Sequence, residues 1–255
     1  MTMQTCLKTA AAAACGLMLA MQAPCAAAAA VSSGASVTNV QFHVVDLTPD
    51  DGQAGGITYY KRESSLTAVA GNIPDDKDYN DWVAASVFKS SGTDRASMTH
   101  SGTPGEIQSY AEANSGVTAA YGFQDGYLWL LPHTSLSMTG HMSGFVRSVS
   151  GLSYASAVSD SIVSFYKGDC VPCTLAEARK EVTLDSSPYG ASYDEDFNLS
   201  YANNTDKAIA LTWSNYQYIN AGTTLPVPEP EGYAMLAAGL LVLGAVARRR
   251  HITKS

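Results

Sequence analysis

The chain has 255 residues, of which 46% are hydrophobic and 15% are charged, and its formal net charge is −8. Between residues 31 and 228, ten Lys and Arg stand against twenty-one Asp and Glu, which leaves eleven excess negative charges. Nucleic acid and anionic lipid are therefore disfavoured as partners, because both are negative themselves. The segment from 31 to 225 is long enough for one good hydrophobic core.

The N-terminus has the pattern of a secretory signal peptide. Lys8 precedes an apolar run from Ala10 to Ala23, Pro24 ends that run, and residues 26–30 offer several Ala-x-Ala cleavage sites. We therefore predict a signal peptide over residues 1–30. Export through the Sec translocon and cleavage by signal peptidase follow from it.

The segment from 31 to 225 is rich in Ser, Thr, Gly, Asn, Tyr and Val, and its short apolar runs alternate with polar residues between turn signals. This pattern predicts a mainly β chain folded as a single antiparallel β-sandwich, of the jelly-roll or immunoglobulin-like kind. Residues 82–90 and 107–113 fit strands or short helices equally well. The turn residues Gln124, Asp125 and Gly126 predict a hairpin between strands 117–123 and 127–131. The other predicted strands are 40–44, 57–60, 65–70, 135–141, 145–149, 162–166, 197–201, 207–213 and 216–219.

An acidic stretch from Asp75 to Asp81 has calcium-like spacing. Asp76, Asp78 and Asn80 alternate as the first ligands of a calcium loop do. However, Asp81 stands where that loop needs glycine, and Val87 stands where it needs a bidentate glutamate. We therefore predict a solvated acidic loop and keep these three residues as a calcium candidate, with no other metal site.

Two cysteines form a Cys-x-x-Cys motif at Cys170 and Cys173. The apolar strand before it and the helix-compatible residues 175–181 after it locally resemble thioredoxin-like oxidoreductases, where a helix N-terminus lowers the pKa of the first thiol. The β meander that follows does not continue that fold. Signal-peptide cleavage would remove the other three cysteines, and the envelope is oxidising, so the motif predicts a local disulfide between Cys170 and Cys173.

Aromatic residues recur along the predicted strands. Tyr127, Trp129, Trp213, Tyr216 and Tyr218 could stack on sugar rings, whose apolar faces suit aromatic side chains. The same alternation is also typical of an ordinary β core.

The sequence contains no nucleophile elbow, zinc-protease helix motif or phosphate-binding loop. His133 and His141 are eight residues apart, and no acid or cysteine joins them at metal-ligand spacing. We therefore predict no catalytic residue and no cofactor.

The C-terminus combines three features in a fixed order: Val227-Pro228-Glu229-Pro230, an apolar run from 233 to 247, and Arg248-Arg249-Arg250. The apolar run would make about 22 Å of helix, somewhat short of the roughly 30 Å hydrocarbon core. The arginines stay on the cytoplasmic side, which places the preceding chain outside. The prolines keep residues 227–230 extended and accessible.

This order of features resembles the PEP-CTERM sorting signal of Gram-negative bacteria. The resemblance implies recognition by an exosortase, a membrane-embedded transpeptidase-like enzyme that removes the anchor. It divides the chain into a signal peptide (1–30), an exported β-rich domain (31–225) and a sorting signal (226–255) with its motif at 227–230, transmembrane helix at 233–247 and basic tail at 248–255.

By this resemblance the protein is anchored transiently in the inner membrane with its body in the periplasm, then reaches the cell surface or the extracellular matrix. The family's association with exopolysaccharide implies exopolysaccharide as a partner. The expected function is that of a non-enzymatic surface or biofilm-matrix protein. The alternatives are a carbohydrate-binding module and an envelope thiol oxidoreductase.

Overall fold

The computed structural model describes residues 30–71, 73–149, 155–168, 173–184 and 189–223. These residues form twelve strands and no helix. The strands are β1 (Val31–Asp46), β2 (Ile57–Ala70), β3 (Ile73–Tyr79), β4 (Ala85–Ser91), β5 (Asp94–His100), β6 (Ile107–Ala113), β7 (Val117–Leu130), β8 (Thr134–Ser148), β9 (Ala155–Lys167), β10 (Thr174–Thr183), β11 (Gly190–Asn203) and β12 (Ile209–Thr223).

The strands form two six-stranded antiparallel sheets. Sheet A has the order β11-β8-β1-β6-β5-β4, and sheet B has the order β10-β9-β12-β7-β2-β3. The chain crosses repeatedly between the sheets, so sequence neighbours such as β7 and β8 lie in different layers. The predicted mainly β class is confirmed, and the two sheets are consistent with a β-sandwich.

Residues facing inward form two apolar clusters, one at each end of the sandwich. The first includes Leu66, Met98 and Ile219, and the second includes Leu136 and Trp213, all of them fully buried. Alternation of inward and outward residues along each strand produces these clusters. Burying apolar surface in this way stabilises the fold by roughly 25 cal/mol for each Å² removed from water.

A band of buried polar residues, which we call the polar band, lies between the two clusters and joins the sheets. Its members in sheet B are Gln124, Ser159, Ser161, Asn215 and Gln217, all fully buried. Their hydrogen bonds reach main-chain and side-chain atoms of sheet A and of the loop between β5 and β6. The bonds are Ser159 Oγ to Gly34 O (2.9 Å), Asn215 Nδ2 to Gly105 O (2.5 Å), Gly105 N to Gln124 Oε1 (2.6 Å), Gln217 Nε2 to Ile107 O (3.2 Å), Ser109 Oγ to Gln217 Oε1 (2.9 Å) and Tyr193 OH to Ser161 Oγ (2.9 Å).

His100 is a buried histidine at the end of β5. Its side chain is 1% exposed, and neither ring nitrogen has a hydrogen-bond partner. Burial lowers the pKa of His100 to about 4. The residue is therefore neutral near pH 7 and disfavours the folded state once it is protonated.

The structure corrects two predictions of local structure, the turn at 124–126 and the acidic loop, and it places the helix-compatible residues 175–181 in a strand. Residues 124–126 do not form a turn, because β7 runs without interruption from Val117 to Leu130. Residues 175–181 lie within the strand β10 and not in a helix, so the helix that a thioredoxin-like motif requires after Cys173 is not formed. The acidic stretch is not a loop, because most of it lies in β3. In each case pairing with a neighbouring strand overrides the local preference.

Segments that the sequence left open are resolved as strands. Residues 85–91 form β4, and residues 107–113 form β6. The separate predicted strands 57–60 and 65–70 are one strand, β2, and 135–141 and 145–149 are one strand, β8.

Candidate functional site: an aromatic groove on sheet B

A groove of about 510 Å³ runs along the outward face of sheet B, across β9, β12, β7 and β2. We call it the aromatic groove. Its lining residues are Tyr60, Lys61, Phe123, Asp125, Tyr127, Ile162, Tyr166, Gly168, Thr212, Ser214 and Tyr216. Its volume lies within the range of roughly 300 to 1,000 Å³ that is usual for small-molecule sites.

Strand β7 supplies a line of outward-facing side chains along the groove. Its outward positions, two residues apart, are Tyr121, Phe123, Asp125, Tyr127 and Trp129, so an acid interrupts a line of four aromatic side chains. At about 3.4 Å per residue, the line is about 27 Å long.

The antiparallel register assembles three rows across the groove. The central row, which we call the polar row, places Ser164 of β9, Ser214 of β12, Asp125 of β7 and Glu63 of β2 side by side. A row on one side contains Tyr166, Thr212, Tyr127 and Lys61. The row on the other side contains Ile162, Tyr216, Phe123 and Ser65. Aromatic side chains therefore flank polar ones on both sides.

A bulge in β2 widens the aromatic surface at one end. The register of β2 against β7 shifts between Tyr59 and Lys61, so Tyr60 is an extra residue, and its side chain is 46% exposed. The Tyr60 ring lies 5.5 Å from that of Trp129 and 6.3 Å from that of Tyr127. Bulges of this kind redirect a side chain without breaking the sheet.

A second aromatic layer supports the groove from behind. The rings of Trp82 and Trp213 lie 5.1 Å apart, and Trp82 also packs against Tyr59 at 5.0 Å. The indole of Trp82 donates a hydrogen bond to the main-chain oxygen of Asp125 at 2.8 Å. A Cβ at Gly126 would collide with the Trp213 indole. Glycine at this position therefore lets β7 lie against the indole and fixes the main chain at the centre of the groove.

Asp125 is the most perturbed acid of the groove. Burial raises its pKa to about 6, while hydrogen bonding from Ser214 and Tyr127 lowers it, Glu63 raises it and Lys61 lowers it. The Tyr127 hydroxyl donates to Asp125 Oδ2 at 3.4 Å, and burial, followed by the Asp125 charge, raises the pKa of Tyr127. A desolvated carboxylate with charged neighbours in a groove marks a candidate functional site.

Two atoms of the polar row are buried without hydrogen-bond partners. They are Oδ1 of Asp125 and Oγ of Ser164. A buried polar atom left unpaired costs about 1 to 3 kcal/mol, so such atoms call for an explanation. Ligand groups or ordered water can supply the missing bonds.

The charged groups at the rim are partly paired with each other. Lys61 Nζ lies 2.6 Å from Glu63 Oε1 and 4.7 Å from the centroid of the Tyr127 ring. The groove therefore combines ring faces, hydroxyl groups and carboxylates, a combination that matches ligands with apolar faces and polar edges, as sugar rings have.

The structure sorts the aromatic residues singled out in the sequence. Tyr127 and Tyr216 line the groove, and Trp129 and Tyr218 lie on the same outward face. Trp213 is fully buried, so of the two alternatives left open by the sequence it fits the ordinary β core. It packs 5.2 Å from Phe42 in the core.

Among the residues that line the groove, sequence reasoning singled out only Tyr127 and Tyr216. Tyr60, Phe123 and Tyr166 were read as ordinary strand residues, and Asp125 was assigned to a turn. The alternation of Phe123 with Tyr127 and Trp129 could have placed them on one face. Nothing in the sequence indicates the bulge that turns Tyr60 outward.

The calcium candidate lies at the edge of sheet B, where Asp78 is opposite Ser65 and Asp76 is opposite Thr67 of β2. Asp76 and Asp78 are exposed on β3, and Asn80 follows the end of that strand. An extended strand does not curl its side chains around one ion as a calcium loop does. Among the residues that the structure describes, no group of three His, Cys, Asp or Glu side chains could hold a metal ion.

His133 and His141 do not converge. His133 lies between β7 and β8, where its Nε2 is 2.8 Å from Asp206 Oδ1. His141 lies within β8, between Asp194 (Nε2 to Oδ1, 2.7 Å) and Asp196 (Nδ1 to Oδ1, 2.8 Å). Asp196 makes the largest contribution to raising the pKa of His141.

Several predicted features lie outside the described residues: residues 1–29, Cys170, the sorting motif Val227, Pro228, Glu229 and Pro230, the apolar run 233–247 and Arg248, Arg249 and Arg250. Cys173 is in a disulfide, and its pairing with Cys170 stays a prediction. Within the described ranges, no helix is long and apolar enough to span a bilayer.

Comparisons of the chain with protein-family models, with curated proteins and with solved structures found no match.

Proposed function

We propose that this chain is an exported surface or matrix protein without catalytic activity, which an exosortase sorts through Val227 to Pro230. The observation that carries the proposal is the order of three features in the C-terminal sequence: a Pro-Glu-Pro motif, an apolar run and three arginines. The protein is made with a signal peptide, passes through the Sec translocon and is held briefly in the inner membrane with its body in the periplasm. It then reaches the cell surface or the exopolysaccharide matrix.

Replacement of Glu229 by alanine tests the sorting proposal. The motif is expected to lie in an extended linker that contributes no core burial, so the variant should fold normally. Uncleaved precursor should accumulate in the inner membrane, and surface material should fall. Glu231→Ala is the matched control, because it removes a neighbouring carboxylate outside the motif.

Cell fractionation and intact mass of a tagged protein separate the outcomes. The host must possess an exosortase. A Glu229→Ala protein that leaves the cell with the wild-type mass would show that the motif does not direct processing. N-terminal sequencing of the exported protein should give a start between Ala27 and Ser32.

The sandwich itself belongs, in this proposal, to the jelly-roll kind. Its described strands exceed the roughly seven to nine of an immunoglobulin-like domain. The repeated crossing of the chain between the sheets also favours a jelly roll.

A second candidate function, carbohydrate binding, is favoured by the aromatic groove. Tyr127 and Tyr216 belong to the two rows that flank the polar row, so a sugar could place its ring faces on the aromatic side chains and its hydroxyl groups on the polar row. Stacking of sugar rings on aromatic side chains buries a large apolar area for each side chain.

Glycan-array screening followed by calorimetry tests this function. Tyr127→Ala and Tyr216→Ala should each weaken binding about tenfold, the effect of losing about 1.4 kcal/mol of contact energy. Tyr189→Ala is the control, because Tyr189 is 74% exposed and lies outside the residues that line the groove. Equal loss in all three variants would contradict a role for the groove.

A further inference from the structure

The charges of the aromatic groove indicate which glycans it would select, an inference that rests on carbohydrate binding as the second candidate function. The polar row continues onto β10, where Glu177 lies opposite Ser164. The extended row therefore contains three carboxylates, those of Glu63, Asp125 and Glu177.

Of the nearby cations, Lys61 offsets one carboxylate of the row, and Arg179 is paired with an acid outside it. Lys61 pairs with Glu63 at 2.6 Å, and Arg179 makes hydrogen bonds to Asp160 at 3.2 and 2.9 Å. Among the described residues, Asp125 has no salt bridge of its own. The row thus has a surplus of negative charge, centred on a carboxylate whose Oδ1 has no hydrogen-bond partner.

We propose that Asp125 makes the aromatic groove selective for glycans that carry free, protonated amino groups. Such a group donates to a carboxylate in a charge-assisted hydrogen bond, which is about twice as strong as a neutral one. Rotation about the terminal torsion of an aspartate is soft, so either oxygen can turn towards the ligand. Acidic sugars are repelled by the same charge.

The flanking aromatic rings support the same ligand class. Ammonium groups are attracted to the faces of aromatic rings within about 6 Å of the centroid. The Tyr127 ring already attracts one ammonium group in this way, because Lys61 Nζ lies 4.7 Å from its centroid. A second aromatic face, that of Tyr216, lies in the row on the other side of Asp125.

The test compares four probes of equal chain length by calorimetry at pH 7, with the full-length protein in detergent. The probes are oligomers of glucosamine, N-acetylglucosamine, glucose and galacturonic acid. The glucosamine oligomer should bind at least about tenfold more tightly than the two neutral oligomers, given the strength of a charge-assisted bond. The galacturonic acid oligomer should bind most weakly.

Asp125→Asn is the decisive variant, because it keeps the shape of the side chain and removes its charge. It should bind the glucosamine oligomer no more tightly than the neutral oligomers, so that the roughly tenfold preference is lost. Asp194→Asn is the matched control, because it removes an exposed carboxylate from sheet A and should preserve the preference.

A pH series on the wild-type protein gives a second measurement without any substitution. The charged and titratable groups that face Asp125 are Glu63 and Lys61 from β2 and Tyr127 on its own strand, while β12 contributes the uncharged Ser214. With a pKa of about 6 for Asp125, the preference should disappear as the pH falls from 7 to 5, although the ligand amine becomes more fully protonated over this range.

The outcomes separate the inference from the function on which it rests. Binding of neutral and amino glycans with equal affinity, or a preference that survives in Asp125→Asn, overturns the selectivity and leaves carbohydrate binding in place. If none of the four probes binds, carbohydrate binding fails, and the selectivity fails with it.

Discussion

Replacing Asp125 by asparagine should make the protein more stable at neutral pH. The folded-state pKa of Asp125 is raised to about 6 from an ordinary value of 3.8, mainly by burial. The folded state therefore binds a proton more tightly than the unfolded state, and ionisation disfavours folding. The difference between the folded-state and ordinary pKa values corresponds to a loss of about 3 kcal/mol in the free energy of unfolding. This penalty is fully present at pH 7 and is relieved as the pH falls from 6 to 4.

Asparagine removes the charge but still has polar atoms to satisfy, so we expect a gain of about 1 to 3 kcal/mol in the free energy of unfolding at pH 7. At pH 4 the difference from wild type should be under about 1 kcal/mol, because Asp125 is then protonated in the folded state. Urea unfolding of both proteins at pH 7 and pH 4 measures both values.

Asp78→Asn is the control, because Asp78 is exposed on β3 and should give no gain. An Asp125→Asn protein no more stable than wild type at pH 7, or equally stabilised at both pH values, would refute the reasoning. An acid that destabilises the fold but lies in the groove is what we expect of a residue that serves binding.

Three further predictions concern the stability of the fold. In wild type, His100 should contribute a loss of about 3 kcal/mol as the pH falls from 6.5 to 4, because the unfolded state binds the proton more tightly, and His100→Leu should remove this contribution. Denaturation at several pH values measures the difference in slope between the two proteins, and equal slopes contradict the role of His100. Arg179→Ala should destabilise by about 1 to 3 kcal/mol, because it leaves the buried Asp160 unpaired, and the double change with Asp160→Asn should recover most of that loss in urea unfolding. Gly126→Ala should lower the midpoint of thermal unfolding by several degrees through its clash with Trp213, whereas Gly92→Asn, at an open turn position of positive φ, should change it little.

The mainly β class could be predicted because alternation and turn chemistry agree along much of the chain. The two sheets then follow from burying the apolar residues of long strands. The error at residues 124–126 has a physical cause. Gly126 serves close packing against Trp213 within a strand, and sequence alone does not separate this use of glycine from its use in a turn.

The groove was harder to predict because β12 inverts the usual pattern. Its residues Asn215 and Gln217 point into the core, while Tyr216 and Tyr218 point outward. The usual rule that the more apolar residues of a strand face the core would place these tyrosines inside. The inversion is stable because the inward amides hydrogen-bond to the loop before β6 and to β6 itself, contacts between segments more than a hundred residues apart. No local rule indicates those partners.

The polar band also decides how the sandwich responds to mechanical shear. Two sheets held by apolar contacts alone can slide with little loss, because hydrophobic attraction is not directional. Here any sliding must break the bonds of Ser159, Asn215 and Gln217 to the opposite layer together, since all of them cross the same gap. The two layers therefore move as one body when one end of the chain is pulled, and the rows of the groove keep their spacing under load.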